Sequence, residues 1–345
     1  MTSDCGNMIP IKNMIAFLDG LCRSRRRLVL GAVVGLIGVP VVRAQPQRKP
    51  ARIGLLSYLS RTEAEALRGM QPFLTGMRER GYVLGEHFVL DIRVSGGDAR
   101  RMPALADELI ALRPDVLLGI ETPVVVMAAK TSTIPIVLYT SVDPVAAGLV
   151  KSLARPGTNV TGMAGQGHDL IAKHVELLLE LVPKATRITM LVDQFWSARE
   201  NYEQAAQRAA MAKGLNLTIV HVSDAGEIKQ AFAEFEKRRP DGLLATGSGV
   251  TVVLRETIRD EVLRLRLPMI GLIGGGATVS YLPSFNASTH EAADFVDRIL
   301  KGAKPADLPL RQATRFTFTV DMKTARTIGL QVPQSILLRA DQVIE

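Results

Sequence analysis

The feature that most constrains this chain is an alternation, run through twice, of short apolar segments of strand length with longer segments whose apolar residues recur at helical spacing. In the first run, residues 52–58 (RIGLLSY) read as a strand. Residues 63–80 place Ala66, Met70, Phe73, Leu74 and Met77 at helical spacing and stop at Gly81, a residue suited to the left-handed turn that ends a helix. Residues 88–94 alternate as a strand does, 102–112 read as a helix, and 115–120 form a second apolar strand. A helix over 123–131 follows, with Thr122 at its N-cap and Pro123 at its first position, and 134–139 closes the series as a strand. The second run predicts helices over 170–181, 198–212, 225–237 and 250–265, and strands over 187–192, 216–222, 241–246 and 268–273. Strands that alternate with helices in this way form βαβ units, and hence parallel sheets with both faces covered.

The two runs echo one another residue by residue. Arg113-Pro114-Asp115 is answered by Arg239-Pro240-Asp241, Arg52-Ile53 by Arg187-Ile188, and Ile134-Pro135-Ile136 by Leu267-Pro268-Met269, each at an equivalent place in the βα order. The expected fold is therefore α/β, with two Rossmann-like doubly wound parallel-sheet lobes, a cleft between them and a multi-strand hinge. Residues 52–161 plus about 286–312 belong to the first lobe, and 162–285 plus about 313–345 to the second. Residues 140–143 face the cleft in this scheme, and 159–163 carry the chain across it as the first hinge strand. The end of the chain, with a helix over 290–300, a Pro-rich link over 304–309 and a strand over 316–320, crosses back and completes both sheets.

Ahead of the first strand lies a segment of another kind. Arg23, Arg25, Arg26 and Arg27 precede an apolar run over 28–42, and Ala44 follows before Gln45-Pro46. A basic start, an apolar centre and a small-residue exit mark a secretory signal, here a leader over 1–44 with cleavage after Ala44 and a periplasmic mature chain. The run falls short of the roughly 20 apolar residues of a membrane span. Both the general and the twin-arginine export routes fit the arginine cluster. Half of the net charge of +8 resides in this leader, and no basic run interleaved with aromatics follows it, so nucleic acid is not an expected partner. Both cysteines, Cys5 and Cys22, also lie there. The mature chain then has no disulfide, thiol nucleophile or cysteine metal site.

Catalytic signals are thin. The five histidines are scattered without metal-ligand spacing, and neither a nucleophile elbow nor a phosphate loop is present. Gly274-Gly275-Gly276 reads as a flexible loop. No enzyme activity, cofactor or metal is expected. Binding signals are stronger, because small and polar residues cluster at the carboxyl ends of the predicted strands. These are Ser57 with Tyr58, Glu121 with Thr122, Thr140 with Ser141 and Asp143, Asp193, and Thr246 with Ser248. Helix N-termini beside such clusters suit a carboxylate, and Asp143 or Asp193 would hold an ammonium. Tyr58, Trp196 and Tyr281 could stack on an apolar ligand. Each has a structural alternative: Thr122 and Asp143 could only cap helices, and Trp196 could only pack.

The stretch DPVAAGLVKSLARPGTNVTGM, the segment ELLLELVPKATRITMLV and the tail from Arg298 to Glu345 closely resemble ABC-transporter substrate-binding proteins of the tryptophan/tyrosine type. The resemblance spans nearly all of 52–345. It implies a type I periplasmic-binding fold with three hinge crossings, closing on a small ligand that is passed to membrane permease subunits. The family's ligand-facing positions map to Ser57, Thr122, Asp143 and the loops beginning at Asp193 and Thr246. The chain departs from family patterns at 192–197 (VDQFWS) and 274–282 (GGATVSYL follows Gly274), which places ligand identity there. The expected function is extracytoplasmic solute binding for an ABC importer, with an amino acid or related carboxylate as ligand. The alternative is a ligand-sensing module on the same fold.

Overall fold

The computed structural model describes residues 49–139, 143–145, 147–165, 170–247, 249–271 and 275–345, so the leader lies outside the described residues. The first run of the alternation gives β1 (Ala51–Ser57), α1 (Glu63–Gly69), α2 (Gln71–Glu79), β2 (Phe88–Val94), α3 (Met102–Ala111), β3 (Val116–Gly119), α4 (Thr122–Lys130), β4 (Ile136–Leu138) and β5 (Val160–Ala164). The second gives α5 (Leu170–Leu181), β6 (Arg187–Asp193), α6 (Arg199–Ala212), β7 (Asn216–Val222), α7 (Ala225–Lys237), β8 (Gly242–Ala245), α8 (Gly249–Val253), α9 (Arg255–Leu265), β9 (Met269–Ile270) and β10 (Val279–Pro283). The chain ends with α10 (Phe285–Leu300), β11 (Arg311–Gln312), β12 (Phe316–Asp321), α11 (Met322–Ile328), α12 (Gln334–Leu337) and β13 (Gln342–Ile344).

Two sheets result. The first has the order β11-β5-β4-β3-β1-β2 and the second β13-β12-β10-β9-β8-β6-β7. All pairs are parallel except β10 with β12. The inner strands β3, β4 and β5 are buried along their whole length, as strands covered on both faces must be. Among the described residues no helix is long and apolar enough to cross a membrane.

The echo between the two runs has a physical cause. Asp115 accepts the backbone N–H of Arg52 at 2.7 Å and returns its own N–H to the Arg52 carbonyl at 2.8 Å, tying the start of β3 to β1. Asp241 repeats the tie between β8 and β6: its Oδ2 accepts from Arg187 N at 2.8 Å, and its N–H donates to the Arg187 carbonyl at 2.8 Å. Asp341 does the same for Phe318, accepting its N–H at 2.8 Å. The prolines match as well, since Pro135 and Pro268 carbonyls accept from Leu117 and Leu243 at 2.8 Å each. A proline at these strand starts gives up an N–H that the ladder does not need.

Several expectations are corrected. The helix expected over 63–80 is two helices, because Pro72 near the start of α2 lacks an N–H and restricts the residue before it, so the chain breaks at Met70. The helix over 250–265 likewise divides at Leu254 into α8 and α9. The last long helix starts at Phe285 rather than 290, with Ser284 as its N-cap accepting the N–H of Ala287. Thr122 is not an N-cap but the first residue of α4, and Glu121 holds the cap position. Finally, residues 160–164 do not bridge the cleft: β5 pairs with β4 and β11 inside the first sheet. Gly162 is what lets it do so, at φ +127°, where a Cβ would lie 1.9 Å from the Leu138 carbonyl oxygen. The passage to α5 runs through 165–169, of which 166–169 lie outside the described residues.

Candidate functional site

The winding order creates a switch point in each sheet, between β1 and β3 and between β6 and β8, where consecutive crossovers leave in opposite directions. The loops after these four strands converge on a cavity of about 310 Å³. Leu59 enters it after β1, Ile120 and Glu121 after β3, Trp196 after β6, and Thr246 and Gly247 after β8. Leu170, Ile171 and His174 of α5, Tyr202 of α6, Val252 of α8, Leu282 and Pro283 of β10, and Phe285 of α10 complete most of the wall. The lining is largely apolar and aromatic with a few polar groups, the composition of a small-molecule site.

Around the cavity the loops of the two sheets are locked together. Tyr58 donates its hydroxyl hydrogen to Asp193 Oδ2 at 3.0 Å, joining residues 135 apart in sequence. The same oxygen accepts the N–H of Val250 in the first turn of α8 at 3.0 Å, and Oδ1 accepts the N–H of Phe195 at 2.9 Å. Asp193 is fully buried. A carboxylate so enclosed needs these donors, and the helix N-terminus favours its charge. The Tyr58 phenol is held far above its ordinary range, by burial first and then by the neighbouring Asp193 charge and hydrogen bond. Its ring lies against Gly249, where a Cβ would fall 1.8 Å from Cε1. Arg61 Nη2 donates to the Val253 carbonyl at 2.6 Å, and the Thr122 and Ser197 hydroxyls lie 3.4 Å apart.

The expected site residues therefore divide. Trp196 and Thr246 line the cavity. Trp196 is 3% exposed, packs on Tyr202 with ring centroids 4.3 Å apart, and has no hydrogen-bond partner for Nε1 among the described residues. Thr246 receives the Thr251 hydroxyl at its carbonyl oxygen. Tyr58, Asp193 and Thr122 form the lock beside the cavity, with the Asp193 carboxylate accepting three hydrogen bonds from the protein. Ser57 is buried and bonds Ser60 at 3.1 Å. Asp143 accepts the N–H of Val145 at 3.0 Å, the turn-forming alternative, and is not part of the cavity wall. Tyr281 points elsewhere: its ring stacks on Phe316 at 5.6 Å and meets Phe318 edge-on, beside Lys173 and Arg339. Thr140, Ser141 and Ser248 lie outside the described residues. Among the described residues no group of three or more His, Cys, Asp or Glu is placed to hold a metal.

Two cavity residues escaped the sequence reading as individual candidates. Glu121 stood in a polar cluster but was overshadowed by Thr122. His174 occupies the buried stripe Ile171, His174, Val175, Leu178 of α5, and a polar residue in an apolar stripe is the signal that could have found it. Its Nε2 lies 2.7 Å from the Tyr281 carbonyl oxygen, which can only accept, so the neutral ring carries its hydrogen on Nε2. Burial pulls its pKa below the ordinary imidazole value of 6.5, and the Tyr281 bond opposes this more weakly. With the folded value depressed, the unfolded chain takes up the proton first as pH falls, so stability is complete above about pH 6.5 and declines below it. His174→Phe is expected to cost about 1 kcal/mol at neutral pH, for the lost hydrogen bond, and to flatten the decline between pH 6.5 and 5. Urea melts across that range measure both.

A family model described as ABC transporter substrate binding protein matches residues 60–344. The chain belongs to this family. It is 23% identical over 291 residues, 82% of each chain, to a protein of Clostridioides difficile named tyrosine-binding protein. Among solved structures, a conserved domain protein from Vibrio cholerae superposes with a TM-score of 0.78 at 24% identity, covering 86% of this chain and 100% of the other. A Streptococcus pneumoniae ABC domain in complex with L-Trp gives 0.77 at 24% identity with the same coverage. The two-sheet architecture of this substrate-binding protein is the type I periplasmic-binding fold.

Proposed function

We propose that this substrate-binding protein serves an ABC importer outside the cytoplasm, takes a small amino acid or related carboxylate into the cavity between its two sheets, and hands it to membrane permease subunits. The observation that carries this reading is the cavity itself, built from the loops at both switch points and therefore able to report occupancy to both sheets. Its volume of about 310 Å³ suits a ligand of amino-acid size, and its aromatic wall suits an apolar side chain. The names of the relatives, one tyrosine-binding and one holding L-Trp, point the same way. The leader over 1–44 would direct export.

In this reading residues 52–161 plus about 286–312 act as one lobe and 162–285 plus about 313–345 as the other. Ligand that contacts both lobes favours the closed state by its differential affinity, and the permease recognises that state. Ligand binding rather than turnover is the role. The test is a calorimetric and thermal-shift screen of the twenty L-amino acids and small carboxylates. An amino acid binding at micromolar affinity should stabilise the protein by about 2.7 kcal/mol at a hundredfold excess over its Kd. No stabilisation by any of them would remove the proposed ligand class.

A further inference from the structure

The cavity wall has two parts. One comes from the strand-end loops of both sheets, among them Glu121 and Thr246. The other lies against the second sheet alone: Ile171 and His174 of α5, Met190 of β6, Trp196, Tyr202 of α6 and Leu244 of β8. Helices α5 and α6 pack side by side, and both meet this sheet, so the six residues line a recess between helices and sheet that is continuous with the cavity. Five of them belong to the hydrophobic core, and His174 is the exception. An imidazole inside an apolar recess needs a hydrogen-bonding reason to be there.

Half of that reason is visible. Nε2 is committed to the Tyr281 carbonyl oxygen at 2.7 Å, and since a carbonyl can only accept, the one hydrogen of the neutral ring sits on Nε2 and leaves a lone pair on Nδ1. Nδ1 has no hydrogen-bond partner among the described residues. The Trp196 indole nitrogen lacks one too but is fully enclosed, whereas Nδ1 is not, and the space that His174 borders is the cavity. From this geometry we infer that the apolar end of the ligand enters the recess carrying an N–H or O–H that donates to His174 Nδ1, and that His174 thereby selects rings such as indole or phenol over rings of the same shape without a donor. The Tyr281 carbonyl makes the choice: by holding the hydrogen on Nε2 it leaves His174 able to accept and unable to donate, so an acceptor brought to the same place meets a lone pair. This rests on the proposed function and adds to it a residue that reads the ligand's side chain.

The experiment uses protein purified from the full chain and two matched pairs of probes: L-tyrosine with L-phenylalanine, and L-tryptophan with 3-benzothienyl-L-alanine, in which sulfur replaces the indole N–H. Calorimetry on the wild type should show the donor-bearing member of at least one pair bound, and its partner about thirtyfold weaker, because the partner buries Nδ1 without a donor. His174→Phe keeps a ring of similar size and removes the acceptor. It should bring the ratio within that pair close to one, a comparison that cancels any loss of folded protein because both ligands meet the same sample. A second readout needs no variant: the Nδ1 nitrogen resonance of the wild type should move when the donor-bearing ligand binds and stay when its partner does, as expected for a lone pair that gains a hydrogen bond. If the wild type binds both members of each pair equally well, or if His174→Phe keeps the preference, this inference falls and the proposed function stands. If the wild type binds none of the four, the inference falls, and the proposed function falls with it only where the wider screen of amino acids and carboxylates is also blank.

Discussion

Asp193→Ala is expected to destabilise the folded protein by about 3–5 kcal/mol, a large share of the total stability of an ordinary domain. The carboxylate accepts from Tyr58, Val250 and Phe195 at 3.0, 3.0 and 2.9 Å, and the Tyr58 and Val250 donors are buried with it. Leaving each buried donor unsatisfied costs about 1–3 kcal/mol, more than the bond itself contributes. Tyr58→Phe is the control: it removes one donor and leaves Asp193 two others, so it should cost only about 1–2 kcal/mol. Urea denaturation of the pair of variants measures the difference. Equal losses would mean that the Tyr58 bond alone carries the stabilisation and that the two backbone donors find other partners.

The second large effect bears on the proposed closure of the two lobes on a ligand. Gly249→Ala would place a Cβ 1.8 Å from Cε1, 2.3 Å from Cζ and 2.6 Å from Cδ1 of Tyr58, a ring whose hydroxyl Asp193 holds in place. Since Tyr58 follows the first sheet and Gly249 begins a helix of the second, the clash is relieved by moving the two loops apart. Overpacking of this kind costs about 1–3 kcal/mol. Charged against the closed state, it should weaken apparent ligand affinity by roughly 5- to 150-fold and enlarge the ligand-free protein in solution scattering. Adding Tyr58→Ala to the variant should recover part of the lost affinity, because it vacates the space. Unchanged affinity in Gly249→Ala would show that Tyr58 can leave its position without consequence for closure.

These two residues show where the sequence is legible and where it is not. Local pattern located β2, α5, β7 and α7 to the residue, since each has an uninterrupted period and clear ends. It failed at breaks, as at Pro72 and Leu254, where a continuous apolar stripe hides a change of axis. It also missed β10, whose short run VSYLP follows a glycine-rich segment and is recognisable as a strand only through its partner β12. At the site, strand ends identified the right loops, but not which side chain in each loop turns inward. Asp193 is turned to Tyr58, Tyr281 to Phe316, and Glu121 rather than Thr122 enters the cavity wall.

The sequence by itself determined the two-sheet α/β architecture, because that rests on period and punctuation within each segment and on a pair of aspartates, Asp115 and Asp241, that repeat one tie in both sheets. Only the tertiary structure decided what each loop residue does. A loop has no period, so the direction of its side chains is set by contacts from far along the chain, as when Tyr58 reaches Asp193 across 135 residues and makes its carboxylate a tie between the loops of the two sheets.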